Sequence, residues 1–243
     1  SKTKFWQMIG RGTRLCPDLE CVDSRNGEYK GKKYFLIFDY CGNFEYFRQH
    51  INFIGEGETR TLSELIFIRR IQIIKNLQQA DYAEERYQTW RNSLVNICHK
   101  QIIDLNPALF KVKLHLRYVE KYKNKKAIYA LSECDFGELV KEIAPLVSDM
   151  ERDELAKRFD NFMYGLMLAQ MEGLSGFKKA KKRLIHTAGK LKEKISIDAV
   201  REKLSLIQWV ESPGFWDGTD ILDFEKVRVE LRNLIQFIEF MAY

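Results

Sequence analysis

Glu151 to Met171 reads ERDELAKRFDNFMYGLMLAQM, and the spacing of its apolar residues decides the fold. Leu155, Phe159, Phe162 and Leu166 recur at intervals of four, three and four, with Met163 beside them. That rhythm places them on one broad face of an α-helix, where they need a core to cover them. Twenty residues of helix make a rod about 30 Å long, enough to run through the middle of a bundle. Ser148-Asp149-Met150-Glu151 reads as the cap, predicting a helix from Glu151 to about Met171. The methionines read as core filler, because a flexible thioether suits gaps better than it suits a ligand set.

The same periodicity extends outward on both sides. Upstream, Thr61-Leu62-Ser63-Glu64 has capping-box form, and Leu65, Ile68, Ile71, Ile74 and Leu77 follow on one face. A second helix is expected from about Asp81 to Leu105, with Trp90, Leu94, Ile97 and Ile102 inward and Pro107 ending it. Phe110 to Tyr122 is ambiguous. Phe110, Val112, Leu114 and Leu116 alternate as a strand would, while Val112, Leu116 and Val119 fit a helix, and the helical neighbours favour a helix from about Lys113. Asp135-Phe136-Gly137-Glu138 reads as the start of another helix carrying Leu139, Ile143 and Leu146. Downstream, Ser196 to Val210 is amphipathic, and a last helix from Ile221 to Met241 repeats Phe224, Val227, Leu231, Leu234, Ile235 and Ile238. Arg228 and Arg232 lie one turn apart on another face of it.

At 243 residues, with 45% hydrophobic and 30% charged residues, the chain has the composition of a globular protein able to bury a sizeable core. Sixteen Phe and eleven Tyr argue against disorder. Five cysteines form no C-x-x-C pair and no two of the four histidines share a helix face. No metal site or disulfide framework is therefore expected, and a reducing cytoplasm is the simpler location. No apolar run reaches membrane-spanning length, and the chain does not open on a signal peptide.

A net charge of +6 permits an acidic partner without requiring one. The charge is concentrated. Between Lys111 and Lys126, seven basic residues stand against Glu120, and between Phe177 and Lys194 eight stand against Glu193. In the second stretch Lys178, Lys179, Lys181, Lys182 and Arg183 are candidate contacts for a DNA backbone, a solvated face being the other reading. His186 reads as structural. Pro213-Gly214-Phe215-Trp216-Asp217-Gly218 is a turn whose Phe215 and Trp216 either plug the core, the preferred reading, or meet a partner.

The first forty residues differ in kind. Phe5 to Thr13 reads as a helix end, a polar segment with turn signals follows, and Tyr34 to Tyr40 is an apolar run suited to a buried strand. Pro17-Asp18 with Glu28-Tyr29-Lys30 matches the residue set of a metal-dependent nuclease, but no strand signal surrounds it and the match is read as coincidence. Gly55-Glu56-Gly57 lies in a connector with no strand leading into it.

Gln7-Met8-Ile9-Gly10-Arg11-Gly12-Thr13-Arg14 resembles the last motif of the superfamily 2 helicases and translocases, which faces ATP across two RecA-like lobes. Phosphoryl transfer needs guanidinium groups at the γ-phosphate, and Arg suits because its planar donors match phosphate oxygens. The resemblance makes Arg11 and Arg14 candidate arginine fingers, with Gln7 and Gly10 on the nucleotide-binding surface. Tyr118-Val119-Glu120-Lys121-Tyr122, Ile143-Ala144-Pro145-Leu146, Arg158-Phe159-Asp160, Gly214-Phe215-Trp216 and Leu231-Arg232-Asn233-Leu234-Ile235 follow in the order found in the R subunit of type I restriction enzymes. Over nearly its whole length the chain is similar to that subunit's C-terminal region.

The resemblance implies a remnant of the second RecA-like lobe at residues 1–48, a linker at 49–61 and a helical assembly domain at 62–243. It implies ATP and Mg²⁺ as cofactors of the whole subunit, with double-stranded DNA and the methyltransferase and specificity subunits as partners. No Walker A motif or acidic Mg²⁺ box is present, so the chain alone is expected to be inert as an ATPase, helicase or nuclease. The rival readings are the tail of another superfamily 2 translocase, or a non-enzymatic basic helical module that binds DNA.

Overall fold

The computed structural model describes residue 11 and residues 60–147 and 153–238. The chain divides into two compact units, Ser1–Thr59 and Arg60–Tyr243. The RecA-like remnant expected over residues 1–48, Arg11 apart, and the Gly55-Glu56-Gly57 connector lie outside the described residues.

All regular elements described in the second unit are helical, so the multi-helix expectation holds there. They are α1 (Leu62–Asn76), α2 (Glu85–Ile103), α3 (Phe110–Lys113), α4 (Leu116–Tyr122), α5 (Lys125–Tyr129) and α6 (Glu133–Glu138). A π-helical turn (Leu139–Ile143) and a 3₁₀ turn (Ala144–Leu146) follow. Then come α7 (Glu154–Met171), α8 (Phe177–Lys192), α9 (Asp198–Arg201), α10 (Leu204–Glu211), α11 (Pro213–Asp217), α12 (Ile221–Leu231) and a 3₁₀ segment (Arg232–Phe237). Among the described residues no helix is long and apolar enough to cross a membrane.

The core is built on α1 and α7, which pack along each other. α7 also packs against α8, α12 and the final 3₁₀ segment, and α1 packs against α2. Flanked in this way, α1 buries Ile66, Phe67, Ile71, Ile73 and Ile74, and Leu77 just after it is buried too. The single stripe expected from Leu65 and Ile68 is therefore too narrow, and those two are only half-buried. A helix covered on several sides has no polar face to signal its inner one. On α7, Phe159, Met163, Leu166 and Met167 are fully buried, and Met163 and Met167 fill core space as expected.

Helix starts are displaced by capping chemistry. α7 begins three residues later than expected, because the Asp153 side chain accepts from the Ala156 amide at 3.0 Å and is the cap. α6 begins earlier: Ser132 caps it, and Asp135 is the third residue of a reciprocal capping box. The Asp81–Leu105 helix is a 3₁₀ turn at Ala80–Tyr82 followed by α2, on which Ile97 points outward. Phe110–Tyr122 is helical but broken at His115 into α3 and α4. The amphipathic Ser196–Val210 stretch is likewise two helices, α9 and α10. The last helix stops being α-helical at Leu231 and tightens into the 3₁₀ segment.

One polar assembly ties the elements. Asp160 of α7, buried, accepts from Arg228 at 2.7 Å and from Arg232 at 3.0 Å. Arg228 also forks onto Glu225, both contacts 2.7 Å. Its guanidinium lies 4.9 Å from the Tyr164 ring, and Arg70 of α1 lies 5.4 Å from the same ring. A buried carboxylate is tolerated here because two guanidiniums neutralise it and occupy its lone pairs.

Candidate nucleic-acid interface

α8 reads FKKAKKRLIHTAGKLK and starts from a reversal at the end of α7. Gly173 takes φ +63°, a left-handed conformation that glycine adopts without a Cβ clash. Beside it the Leu174 amide donates to the Ala169 carbonyl at 2.9 Å and the Gly173 amide to Gln170 at 3.3 Å, which closes α7 as a Schellman motif. Leu184, Thr187, Ala188 and Leu191 are then buried, and α8 packs against α10 and α7. At Gly189 an added Cβ would stand 3.4 Å from the Glu211 carboxylate of α10, an ordinary contact distance.

With that face inward, Lys178, Lys179 and Lys182 are exposed. Lys181 is half-buried with its ammonium 5.0 Å from the Trp216 ring centre. Arg183 is half-buried, 4.6 Å from the Phe162 ring, and burial pushes its pKa down. Among the described residues, Lys178, Lys179, Lys181 and Lys182 make no ion pair, whereas Lys192 on the same helix meets Glu211 at 2.9 Å. Four ammonium groups within five residues repel one another, and an anion laid along them relieves that repulsion. His186 is exposed and not enclosed in structure.

Beneath the lysines lies an aromatic knot. Phe215, buried, stands edge-on to Trp209 at 4.8 Å, Trp216 at 4.9 Å and Phe224 at 5.5 Å. Phe177, the first residue of α8, meets Trp216 at 6.2 Å and Phe224 at 6.4 Å. The Trp216 indole donates to the Val210 carbonyl at 2.8 Å. Phe215 is thus a core residue and is not presented to a partner, while Trp216 is half-buried and capped by Lys181. Edge-to-face packing uses the ring faces that a nucleobase would need for stacking. Trp209 of this knot stays 37% exposed, while the α8 lysines offer charge, a chemistry suited to phosphate and not to sequence.

Of the proposed nucleotide contacts, Arg11 is helical and exposed, while Gln7, Gly10 and Arg14 lie outside the described residues, as does the Asp18, Glu28 and Lys30 set. A separate open cleft of about 480 Å³ is lined by Tyr82, Arg86, Tyr87, Gln170, Thr219 and Asp220, among others. Burial and a hydrogen bond to Asp220 push the Tyr87 hydroxyl up to about 12, so it stays protonated and acts as a donor. Among the described residues no group of three or more His, Cys, Asp or Glu side chains is arranged to hold a metal ion.

The sequence reading missed the role of Asp160. Its signal was present in two places, a charge inside the apolar face of α7 and the Arg228/Arg232 pair one turn apart, but only the fold joins them. Comparison of the chain with protein-family models, with curated proteins and with solved structures finds no match.

Proposed function

We propose that the chain is the C-terminal region of the R subunit of a type I restriction enzyme, an ATP-dependent DNA translocase and endonuclease. Its helical unit couples the motor to the methyltransferase and specificity subunits. Arg11 and Arg14 reach the γ-phosphate of ATP held by the first motor lobe, with Gln7 and Gly10 shaping that surface. The α8 lysines hold duplex DNA by its backbone. The observation that carries the reading is the order of the quoted strings along the chain, beginning with Gln7-Met8-Ile9-Gly10-Arg11-Gly12-Thr13-Arg14. Two of them, separated by 72 residues, also meet in space, since Asp160 of the first accepts from Arg232 of the second.

The test is association of the 243-residue chain with a purified methyltransferase–specificity complex. Binding at micromolar concentration or tighter is expected, and none at that concentration overturns the reading. In the full-length subunit, Arg11→Ala or Arg14→Ala abolishes ATP turnover; retained turnover removes those residues from the mechanism. The unpaired lysines favour a second reading, a basic helical module that binds DNA without a motor. That reading gains if the chain binds duplex DNA and ignores the subunit complex.

A further inference from the structure

Six of the eleven large hydrophobic side chains exposed among the described residues fall within Ile97–Leu116, which concentrates them in one region. Phe110 is 75% exposed, Leu114 66%, Leu109 56% and Ile103 50%. Ile97 and Ile103 lie on α2, Phe110 on α3 and Leu116 on α4. Val112 and Val119 anchor the segment in the core, together with Tyr122. His115, at the break between α3 and α4, meets Glu142 at 2.7 Å, and the Asn106 side chain accepts from the Ala108 amide at 2.9 Å ahead of α3. The result is a ridge held to the body along one side, with apolar side chains directed outward.

Its charge is also one-sided. Lys111, Lys113 and Arg117 are exposed and make no ion pair among the described residues, whereas neighbouring Glu120 is taken by Lys123 at 2.6 Å. Asp104 is the acidic side chain at the ridge's start. We infer that this ridge is the docking face for a protein surface with an apolar centre and an acidic rim. Resting on the function proposed above, that surface belongs to the methyltransferase–specificity complex.

Other occupants fit less well. A phosphate backbone satisfies the cations but leaves Phe110 and Leu114 in water. A lipid surface calls for a longer continuous apolar stripe than α3 and α4 provide, with four and seven residues and a break between them. A second copy, paired about a two-fold axis, brings the same cations face to face. An acidic-rimmed protein surface covers the apolar residues and neutralises the charge together.

The experiment measures the Kd of the 243-residue chain for the purified methyltransferase–specificity complex, beside a Phe110→Glu/Leu114→Glu variant. Both positions are exposed, so the variant keeps the far-UV circular dichroism and melting temperature of the parent. Its affinity is expected to fall about 100-fold or more. A Lys111→Glu/Lys113→Glu/Arg117→Glu variant is expected to weaken binding chiefly at low salt. If the parent binds and Phe110→Glu/Leu114→Glu binds equally well, the ridge is not the docking face, although the proposed function stands. If the parent does not bind, the proposed function falls and the docking face with it. Binding of the parent to phosphatidylglycerol vesicles, or a dimer of the parent in sedimentation, overturns the assignment if the same variant abolishes it.

Discussion

Replacing Lys178, Lys179 and Lys182 with Ala tests whether the α8 face binds a phosphate backbone. These lysines are exposed and without ion pairs among the described residues, and Lys181 is left in place because it caps Trp216. Lys178 and Lys182 are four residues apart on the helix, about 6 Å along its axis. That is close to two base-pair steps of about 3.4 Å, so a helix lying along one strand presents both to phosphates. Each neutralised phosphate contributes about −0.9 to the slope of log K against log salt, so three lysines contribute about −2.7. Between about 50 and 200 mM salt, their share of the affinity falls about 40-fold. The assay is fluorescence anisotropy of a labelled duplex over a salt series. The triple variant should show a slope shallower by about 2.7, equally for duplexes of unrelated sequence. An unchanged slope, or a loss of affinity confined to one sequence, refutes backbone binding by this face.

Asp160→Ala removes the buried carboxylate that Arg228 and Arg232 share, while Arg228 keeps its fork onto Glu225. Breaking a buried pair costs about 3–5 kcal/mol, and the remaining Glu225 puts the expected loss near about 3. At about 2–4 °C per kcal/mol for a unit of this size, the melting temperature falls by about 6–12 °C. A loss under about 1 kcal/mol in urea titration shows the pair to be dispensable. Trp216→Ala removes a half-buried ring and its bond to Val210, and is expected to cost about 2–3 kcal/mol, less than a fully buried Trp. It should leave the DNA salt slope in place, and loss of both together means the knot's packing, not the lysine charge, carries DNA binding. Lys121 bonds Asp135 at 2.8 Å and Glu138 at 2.7 Å. Burial pushes Asp135 up, but hydrogen bonds from Lys121, Ser132 and Tyr122 outweigh it, and Lys121 then Tyr122 push Glu138 down. Lowered carboxyl pKa values contribute stability that is complete above about pH 4 and lost as pH falls through the folded values. Urea titrations should therefore show a loss of stability below about pH 4 that Lys121→Met reduces; an identical acid loss in that variant removes Lys121 as its source.

The helical class and most of the inward residues of α2 and α12 were legible, because those helices have one covered face and one wet face; on α7 the buried Phe159, Met163 and Leu166 were legible although the helix is covered on several sides. Elements covered on several sides, or left partly uncovered, were harder to read. α1 is flanked by α2 and α7, so its burial pattern follows the packing and not a single stripe. Ile97 sits on the same helical rhythm as Leu94 but points outward, since periodicity names a face without saying how far it is covered. Two helix starts were misplaced because neighbouring Ser, Asp and Glu residues offer several capping registers. The lysines of α8 were legible as charge. Their lack of ion pairs was not, since that depends on where Glu193, Glu211 and Glu172 point after folding. Glu211 turns to Lys192, and Glu172 accepts from Gln72 and Asn76 of α1.

Arginine and lysine are used differently in the described unit, although Lys121 and Lys192 are paired as well. Arginines occupy the fixed positions: Arg228 and Arg232 around Asp160, Arg86 on Asp220, Arg91 over Tyr129. A planar fork with rigid donor geometry suits a crowded site where each oxygen has a set direction. Lysine makes up most of the unpaired charge, and two of its clusters lie at 178–182 and, with Arg117, at 111–117. A strongly hydrated ammonium on a flexible stem gives up little by waiting in water for an anion. The two basic surfaces differ in what accompanies the charge. On α8 the neighbouring Phe177 and Trp216 are half-buried against each other, whereas on the ridge Phe110 and Leu114 stand exposed among the lysines. Salt should therefore separate them. Raising ionic strength screens both, but burial of apolar surface is not screened. A complex held through the ridge should persist at a salt concentration that has already released DNA from α8. Simultaneous release of both partners would mean that the ridge, too, binds by charge alone.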